Sequence, residues 1–295
     1  MTAATELRAE QDRGRKAAQN REKWASVRTY ISAAVILFWC LAPAYWMVVT
    51  AFRDVGYTYD TSLLPTHVTL DNFITAFDTS FGNRFGQALL NSVFIGVTVT
   101  LISLVLGVFA AYALARLNFR FKYLVLGFIL GASMFPGVAL ITPLFQLFTN
   151  IGWIGTYQAL IIPNISFVLP LTVYTMTSFF REMPWELEEA ARVDGCTQGQ
   201  AFRRVIMPLA APAIFTTAIL AFISSWNEFL IASQLSNDAT QPVTVAIANF
   251  AGAQPQQIPY TAIMAAGTIV TIPLVILVLV FQRKIVAGLT AGAVK

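Results

Sequence analysis

The sequence is poor in the residues that soluble enzymes use. Only 12% of its 295 residues are charged, and it has one histidine and two cysteines. His67 has no ligand partners nearby, so no metal site is expected, while Cys40 lies in an apolar run and Cys196 in a polar loop, where they are expected to stay reduced. No G-x-x-x-x-G-K-[ST] loop for ATP phosphates and no nucleophile–base arrangement is present. We therefore predict a chain that is not an enzyme and binds no cofactor itself.

Hydrophobic residues are abundant, at 57% of the chain with 23 Phe and a mean hydropathy of +0.65. A soluble domain of this length could not cover such a surface with polar groups. About 20 apolar residues cross a bilayer as a helix, and no run alternates strictly. We predict an all-α membrane protein with six transmembrane helices, some kinked at prolines such as Pro136. The runs are 30–52, 88–115, 123–148, 157–180, 209–233 and 261–282.

Basic residues predict the topology. The first 28 residues carry seven, the 116–122 turn three, the 181–208 loop four and the C-terminal end three, whereas the alternate loops carry only Arg53 and Arg84. By the positive-inside rule, both termini and the 181–208 loop are cytoplasmic. The expected organisation is a polar tail (1–28), a transmembrane domain (29–283) and a C-terminal tail (284–295). Attraction to anionic membrane lipid explains the first tail better than nucleic-acid binding, which we do not expect.

The 181–208 loop is the most informative segment. Pro184 suits the first position of a helix, three glutamates follow near its positive end, and Gly195 can end it in the left-handed conformation. Thr197 and Gln200 have capping-box spacing for a second short helix, which Pro208 bounds. The predicted helix–glycine–helix unit lies outside the membrane, where another protein can dock. The alternative is an ordinary amphipathic connector.

The spacing within this loop carries a family resemblance. It reads Glu-Ala-Ala at 189–191, three residues, Gly195, nine residues, and Val-Ile-Met-Pro at 205–208. This resembles the EAA loop of ABC importer permeases, a coupling helix that fits a cleft on the ATP-binding subunit. The resemblance implies the type I permease fold. The residues that it assigns to ATPase coupling are Glu188, Glu189, Ala190, Ala191, Arg192, Asp194, Gly195 and Pro208.

Further motifs resemble the carbohydrate-uptake branch of these permeases. They include Asn91-Ser92, Ala-Tyr-Ala-Leu-Ala-Arg at 111–116, and the 281–295 terminus, which is similar to that of maltose-system G-type permeases. The chain also resembles mycobacterial trehalose permeases. The resemblance implies a multi-pass protein of the bacterial inner membrane with a second homologous permease, two ATPase subunits that bind ATP and Mg, and an extracytoplasmic sugar-binding protein. The implied substrate is a disaccharide, trehalose or a maltose-like sugar. Glycerol phosphate and oligosaccharides remain alternatives.

Glu228 is the only ionisable acid or base well inside a predicted span. Such a charge is costly and suggests a functional cavity, and the neighbouring Trp226 and Asn227 supply a stacking face and an amide that suit sugars. We predict that Trp226, Asn227 and Glu228 line the substrate path, unless Glu228 merely hydrates at the outer interface. Two other classes of protein are less consistent with the sequence. An ion-coupled secondary transporter would need more titratable groups within its spans, and a channel or a membrane scaffold would not need a coupling loop. The 52–87 and 234–260 loops, including an extended segment at 252–259, could contact an external partner or simply be solvated.

Overall fold

Apolar helices make up the architecture. The computed structural model describes the backbone of residues 2–80, 82–250 and 259–291, and the side chains of residues 21, 23–80, 82–250 and 259–282. Within this part there are twelve α-helices and no strand. They are α1 (Thr2–Ala51), α2 (Asp71–Ala76), α3 (Phe85–Arg116), α4 (Lys122–Ser133), α5 (Gly137–Asn150), α6 (Tyr157–Glu182), α7 (Glu186–Val193), α8 (Gln198–Ala201), α9 (Met207–Trp226), α10 (Ala232–Leu235), α11 (Val243–Ala248) and α12 (Tyr260–Ala291).

The six predicted runs correspond to five helices long enough to span a membrane and one bent pair. The pair is α4 with α5, which meet at 87°, and it makes a sixth span if counted as one. The break falls at Pro136, as the sequence predicts. Pro136 lacks a backbone N–H and has an extended conformation here, and its ring disfavours helical geometry at the preceding residue.

The fifth predicted span is too long. It was expected at 209–233, but α9 ends at Trp226. After it, the Asn227 side chain donates a hydrogen bond to the Ile223 carbonyl at 2.8 Å, and the Glu228 carboxylate accepts from two backbone N–H groups. Such side-chain bonds compete with helix continuation. Two short helices, α10 and α11, come next instead.

Helix α3 lies at the centre of the bundle, against α6 and α9. Glycines make the contacts close: a Cβ atom on Gly107 would lie 2.5 Å from Thr172 of α6, and one on Gly96 would lie 2.9 Å from Phe222 of α9. Small residues at such crossings allow helix backbones to approach within a membrane. The second predicted span is therefore the core of the fold.

Large apolar side chains cover the outside of the bundle. Phe38 and Trp39 on α1 are 74% and 80% exposed, and Phe128 on α4 is 72% exposed. In water, a surface of this kind would drive aggregation. It fits a chain whose outer face meets lipid or another membrane subunit, in agreement with the predicted class.

The 52–87 segment is built around a buried arginine. Arg53 is 1% exposed, and its guanidinium donates hydrogen bonds to the carbonyls of Asp60 and Ser62 and lies 4.6 Å from the Trp46 ring centroid. The Asn72 side chain donates to the Arg53 carbonyl at 2.6 Å, which attaches α2. Hydrogen bonds from Ser62 hold the pKa of the Asp60 carboxyl below its ordinary value. Residues 53–72 of this segment are therefore joined by side-chain hydrogen bonds to one buried centre.

The backbone of both predicted terminal tails is helical where the structure describes it. Helix α1 runs from Thr2 into the first span without a break, and α12 continues to Ala291. The predicted extended segment lies, but for its last residue, outside the described residues, as do residues 292–295. The domain boundaries at 28 and 283 stay predictions.

Candidate functional site

Helix α7 is the helix of the 181–208 loop that stands apart from the spans. It begins at Glu186, two residues after Pro184, so the prediction that Pro184 occupies the first helical position is wrong. Met183, which precedes the proline, has an extended backbone, as residues before proline prefer. The first helical hydrogen bonds reach the Trp185 carbonyl, from the N–H groups of Glu188 and Glu189.

Gly195 ends α7 as predicted. Its φ is +86°, a left-handed conformation that suits glycine. The Gly195 N–H donates to the Arg192 carbonyl at 3.0 Å, and the Cys196 N–H donates to the Ala191 carbonyl at 2.9 Å. These two bonds form a Schellman motif, which satisfies carbonyls at the helix end.

The second helix of the loop is different from the prediction. The capping box is present, with Thr197 Oγ1 accepting from the Gln200 N–H at 3.3 Å and Gln200 Oε1 accepting from the Thr197 N–H at 2.9 Å. Pro208, however, does not bound this helix. A π-helical turn, Phe202–Ile206, joins α8 to α9, and its wider spacing accommodates the proline. Helix α8 is therefore continuous with the fifth span.

The predicted coupling residues divide between two faces of α7. Glu188 and Ala191 are each 6% exposed and face the bundle. The sequence motif assigns the same role to Ala190 and Ala191. Consecutive residues of a helix point about 100° apart, however, and only Ala190 faces outward. The outward residues of α7 together with its C-cap residue Asp194 form what we call the α7 surface: Glu186, Leu187, Glu189, Ala190, Arg192, Val193 and Asp194.

Sequence reasoning missed two apolar residues of the α7 surface, Leu187 and Val193. Val193 is 88% exposed, which is unusual for a valine. The signal was present in the sequence: Leu187, Ala190 and Val193 recur every three residues, so they lie along one side of the helix.

The inward face of α7 is held by the end of α3. Tyr112 Oη donates a hydrogen bond to Glu188 Oε1 at 2.8 Å. The Arg116 guanidinium donates to the Met183 carbonyl at 2.8 Å and lies 4.5 Å from the Trp185 ring centroid. We call these contacts the α3–α7 clamp. The sequence contained Tyr112 and Arg116 only as part of a family motif, with no assigned role.

The three predicted substrate residues do not share one surface. Trp226 is 2% exposed and packs on Phe222, with ring centroids 5.4 Å apart. The Asn227 side chain is exposed, whereas Glu228 is half-buried, and its carboxylate accepts from the N–H groups of Ile231 at 2.8 Å and Ala232 at 3.0 Å. Burial of Trp226 favours a packing role in this chain. The substrate role of the three residues stays a prediction.

Glu228 borders a small cavity. Its volume is about 10 Å³, room for about one water molecule. Ser92, Asn164, Ser225 and Pro242 also line it, and Asn164 Nδ2 donates to Ser225 Oγ at 2.9 Å. This cavity cannot hold a sugar.

Asn91 and Ser92 bind the segment that leads into α11. Asn91 Nδ2 donates to the carbonyls of Ala239 and Gln241, both at 3.0 Å. Ser92 Oγ accepts from the Val243 N–H at 2.7 Å. A motif that carried only family resemblance in the sequence thus joins two distant parts of the chain.

Potential metal ligands are dispersed over the described side chains. No group of three His, Cys, Asp or Glu residues among them is close enough to hold an ion. That the chain binds no cofactor stays a prediction.

Comparisons with known proteins support the fold and the class. The family described as binding-protein-dependent transport system inner membrane component matches residues 103–290. The trehalose transport system permease protein SugB of Mycobacterium tuberculosis is 46% identical over 273 residues, which cover 92% of this chain and 97% of that protein. The trehalose/maltose transport system permease protein MalG of Thermococcus litoralis is 40% identical over 267 residues, 90% of this chain and 95% of that protein.

A solved structure shows the same fold. It is that of a bacterial ABC transporter involved in the import of the acidic polysaccharide alginate, with a TM-score of 0.74 and 21% identity over 89% of this chain and 97% of the other. The predicted type I permease fold is thereby confirmed. The similar proteins are transport permeases and not enzymes. The chain belongs to the inner-membrane components of binding-protein-dependent transport systems, the permeases of ABC importers.

Proposed function

We propose that the chain is a permease subunit of an ATP-driven sugar importer in the bacterial inner membrane. Together with a second, homologous permease it forms the translocation path, and it couples transport to ATP hydrolysis on two partner subunits that bind ATP and Mg. The observation that carries this proposal is the α7 surface, an ordered outward patch on a helix separate from the spans. The excess of basic residues in the 1–28, 116–122 and 181–208 segments supports a cytoplasmic location for both termini and for α7.

The composition of the α7 surface favours a protein partner over lipid. Leu187, Ala190 and Val193 offer apolar contact, while Glu189 and Arg192 carry charges that hydrocarbon would exclude. An interface with an apolar centre and a charged rim is typical of protein association. ATP binding closes the ATPase pair and displaces α7, the permeases open outward to receive sugar from a binding protein, and hydrolysis resets them.

A disaccharide is the proposed substrate, trehalose or a maltose-like sugar. Two similar proteins carry trehalose in their names, one of them with maltose, at 46% and 40% identity. A third, the diacetylchitobiose permease DasC of Streptomyces coelicolor, is 34% identical. The cavity beside Glu228 is far too small for a sugar, so the proposed path is one that the two permeases form together. Uptake of a labelled panel of disaccharides, oligosaccharides and glycerol phosphate by the complete transporter tests this choice.

Crosslinking tests the docking proposal. In a variant without Cys40 and Cys196, cysteines at Ala190 and Val193 should crosslink to an ATPase subunit, because both side chains lie on the α7 surface. A cysteine at Ala191 is the matched control: it is adjacent in sequence but buried, so it should react at least about tenfold less. If the complex is intact and neither outward cysteine reaches an ATPase, α7 is not the docking helix. Transport by this chain alone would favour an ion-coupled transporter.

Glu228 offers a second test. Glu228→Gln should lower uptake by about fivefold to tenfold with assembly intact, because one amide oxygen replaces two carboxylate oxygens that cap α10. Asp238→Asn, at an exposed acid of the same segment, is the control and should leave uptake unchanged. Equal uptake by both variants would show that Glu228 has no part in transport.

A further inference from the structure

Helix α3 differs from every other span that the structure describes, because it contains no proline. The remaining long helices are interrupted by Pro43, Pro163, Pro170, Pro212 and Pro273, and the bent pair contains Pro143. Each proline removes a backbone donor and weakens the helix locally. Helix α3 therefore has no proline to interrupt its backbone hydrogen bonds over its 32 residues.

One end of this helix holds α7 through the α3–α7 clamp. Glu188 is 6% exposed, and Tyr112 is the partner of its Oε1 atom, while Oε2 has none. A buried carboxylate with a single hydrogen-bond donor depends heavily on that donor. The Tyr112 ring also packs on Phe202, with centroids 4.5 Å apart, and so joins α7, α3 and the start of the fifth span.

The other end holds the segment before α11. Asn91 is 1% exposed and uses its whole amide: Nδ2 donates to the carbonyls of Ala239 and Gln241, and Oδ1 accepts from Tyr157 Oη at 2.8 Å. Ser92, one residue on, accepts from the Val243 N–H. Asn91 and Tyr112 are separated by 21 residues of continuous helix, which is about 32 Å.

We propose that α3 transmits the displacement of α7 to the 239–248 segment, with Tyr112 and Arg116 as positioning residues at one end and Asn91 and Ser92 at the other. At Gly96 and Gly107 the helix packs closely against α9 and α6, which keeps its position between them. A displacement of one end of α3 is therefore transmitted to the other end. The inference rests on the proposed function, in which a partner ATPase moves α7.

The test uses the complete transporter reconstituted with its partner subunits. Tyr112→Phe keeps the ring on Phe202 and removes only the hydroxyl that reaches Glu188. The complex should assemble and hydrolyse ATP, but sugar transported per ATP should fall about tenfold. Asn91→Ala should give the same phenotype from the other end. Tyr30→Phe, the same change on a side chain 75% exposed, is the control and should behave as the parent protein.

The double variant separates transmission from local stabilisation. If the two ends act through one helix, Tyr112→Phe with Asn91→Ala should lose no more than the worse single variant, whereas independent structural effects would multiply. Multiplied losses, or parental transport per ATP in Tyr112→Phe, would overturn the proposal. If the Tyr112→Phe complex does not assemble, Arg116→Lys tests the proposal instead. A lysine side chain cannot both donate to the Met183 carbonyl and lie over the Trp185 ring as the guanidinium does. Failure of the proposed function is seen separately, since the parent chain would then not co-purify with an ATPase.

Discussion

Gly195→Val should reduce uptake by about 10-fold, chiefly by misplacing α7. At φ +86° an L-residue with a Cβ costs about 1–2 kcal/mol, and a β-branched side chain costs more. A Cβ atom at this position would meet no atom within 4 Å, so the penalty comes from the backbone conformation alone. Relief of that strain breaks the Schellman bonds to Ala191 and Arg192 and changes the orientation of the α7 surface, which we propose binds an ATPase subunit. Uptake and co-purification of the ATPase measure the effect.

Two further variants make this prediction specific. Gly199→Val is the matched control: Gly199 is helical, and a Cβ there also meets nothing within 4 Å, so the variant should keep most of the uptake. Gly195→Asn should retain more uptake than the valine variant, because asparagine tolerates the left-handed region. Equal uptake by Gly195→Val and Gly199→Val would mean that the end of α7 need not have this geometry.

Arg53→Ala should destabilise the segment around Arg53 by about 3 kcal/mol, since two part-buried carbonyl groups lose their donors and Trp46 loses its cation. The fraction of molecules in which this segment is locally unfolded should then rise about 100-fold. Limited proteolysis of the assembled transporter measures this opening directly. Arg53→Lys should recover only part of the loss, because an ammonium cannot reproduce the planar, forked geometry of the guanidinium.

Arg84→Ala is the control for this prediction. Arg84 is the other base of the same segment, but it is exposed, so its removal should change the cleavage rate little. If both variants open the segment equally, the buried guanidinium does not organise it.

The fold shows where sequence reasoning succeeds. The class, the approximate positions of the spans and the break at Pro136 follow from run length and proline chemistry. Gly195 and the Thr197 capping box were predicted correctly because each is decided within a few residues. The errors were of another kind: Pro184 was expected at the first helical position, Pro208 was expected to bound a helix, and the fifth span was expected to reach residue 233. In the last two places a π-helical turn or a side-chain hydrogen bond changed the path of the backbone.

In the candidate site, too, the local features were predictable from the sequence and the long-range contacts were not. The sequence alone determined that a helix in the 181–208 loop ends at Gly195, where the chain must turn, because backbone conformation and amphipathic spacing are local properties. Only the tertiary structure decided that Ala190 faces outward while Ala191 is buried, and that Tyr112 and Arg116 hold α7. The Tyr112–Glu188 bond joins residues 76 apart in sequence, and the Asn91–Gln241 bond joins residues 150 apart. Such contacts depend on how helices pack in space, which no local pattern encodes.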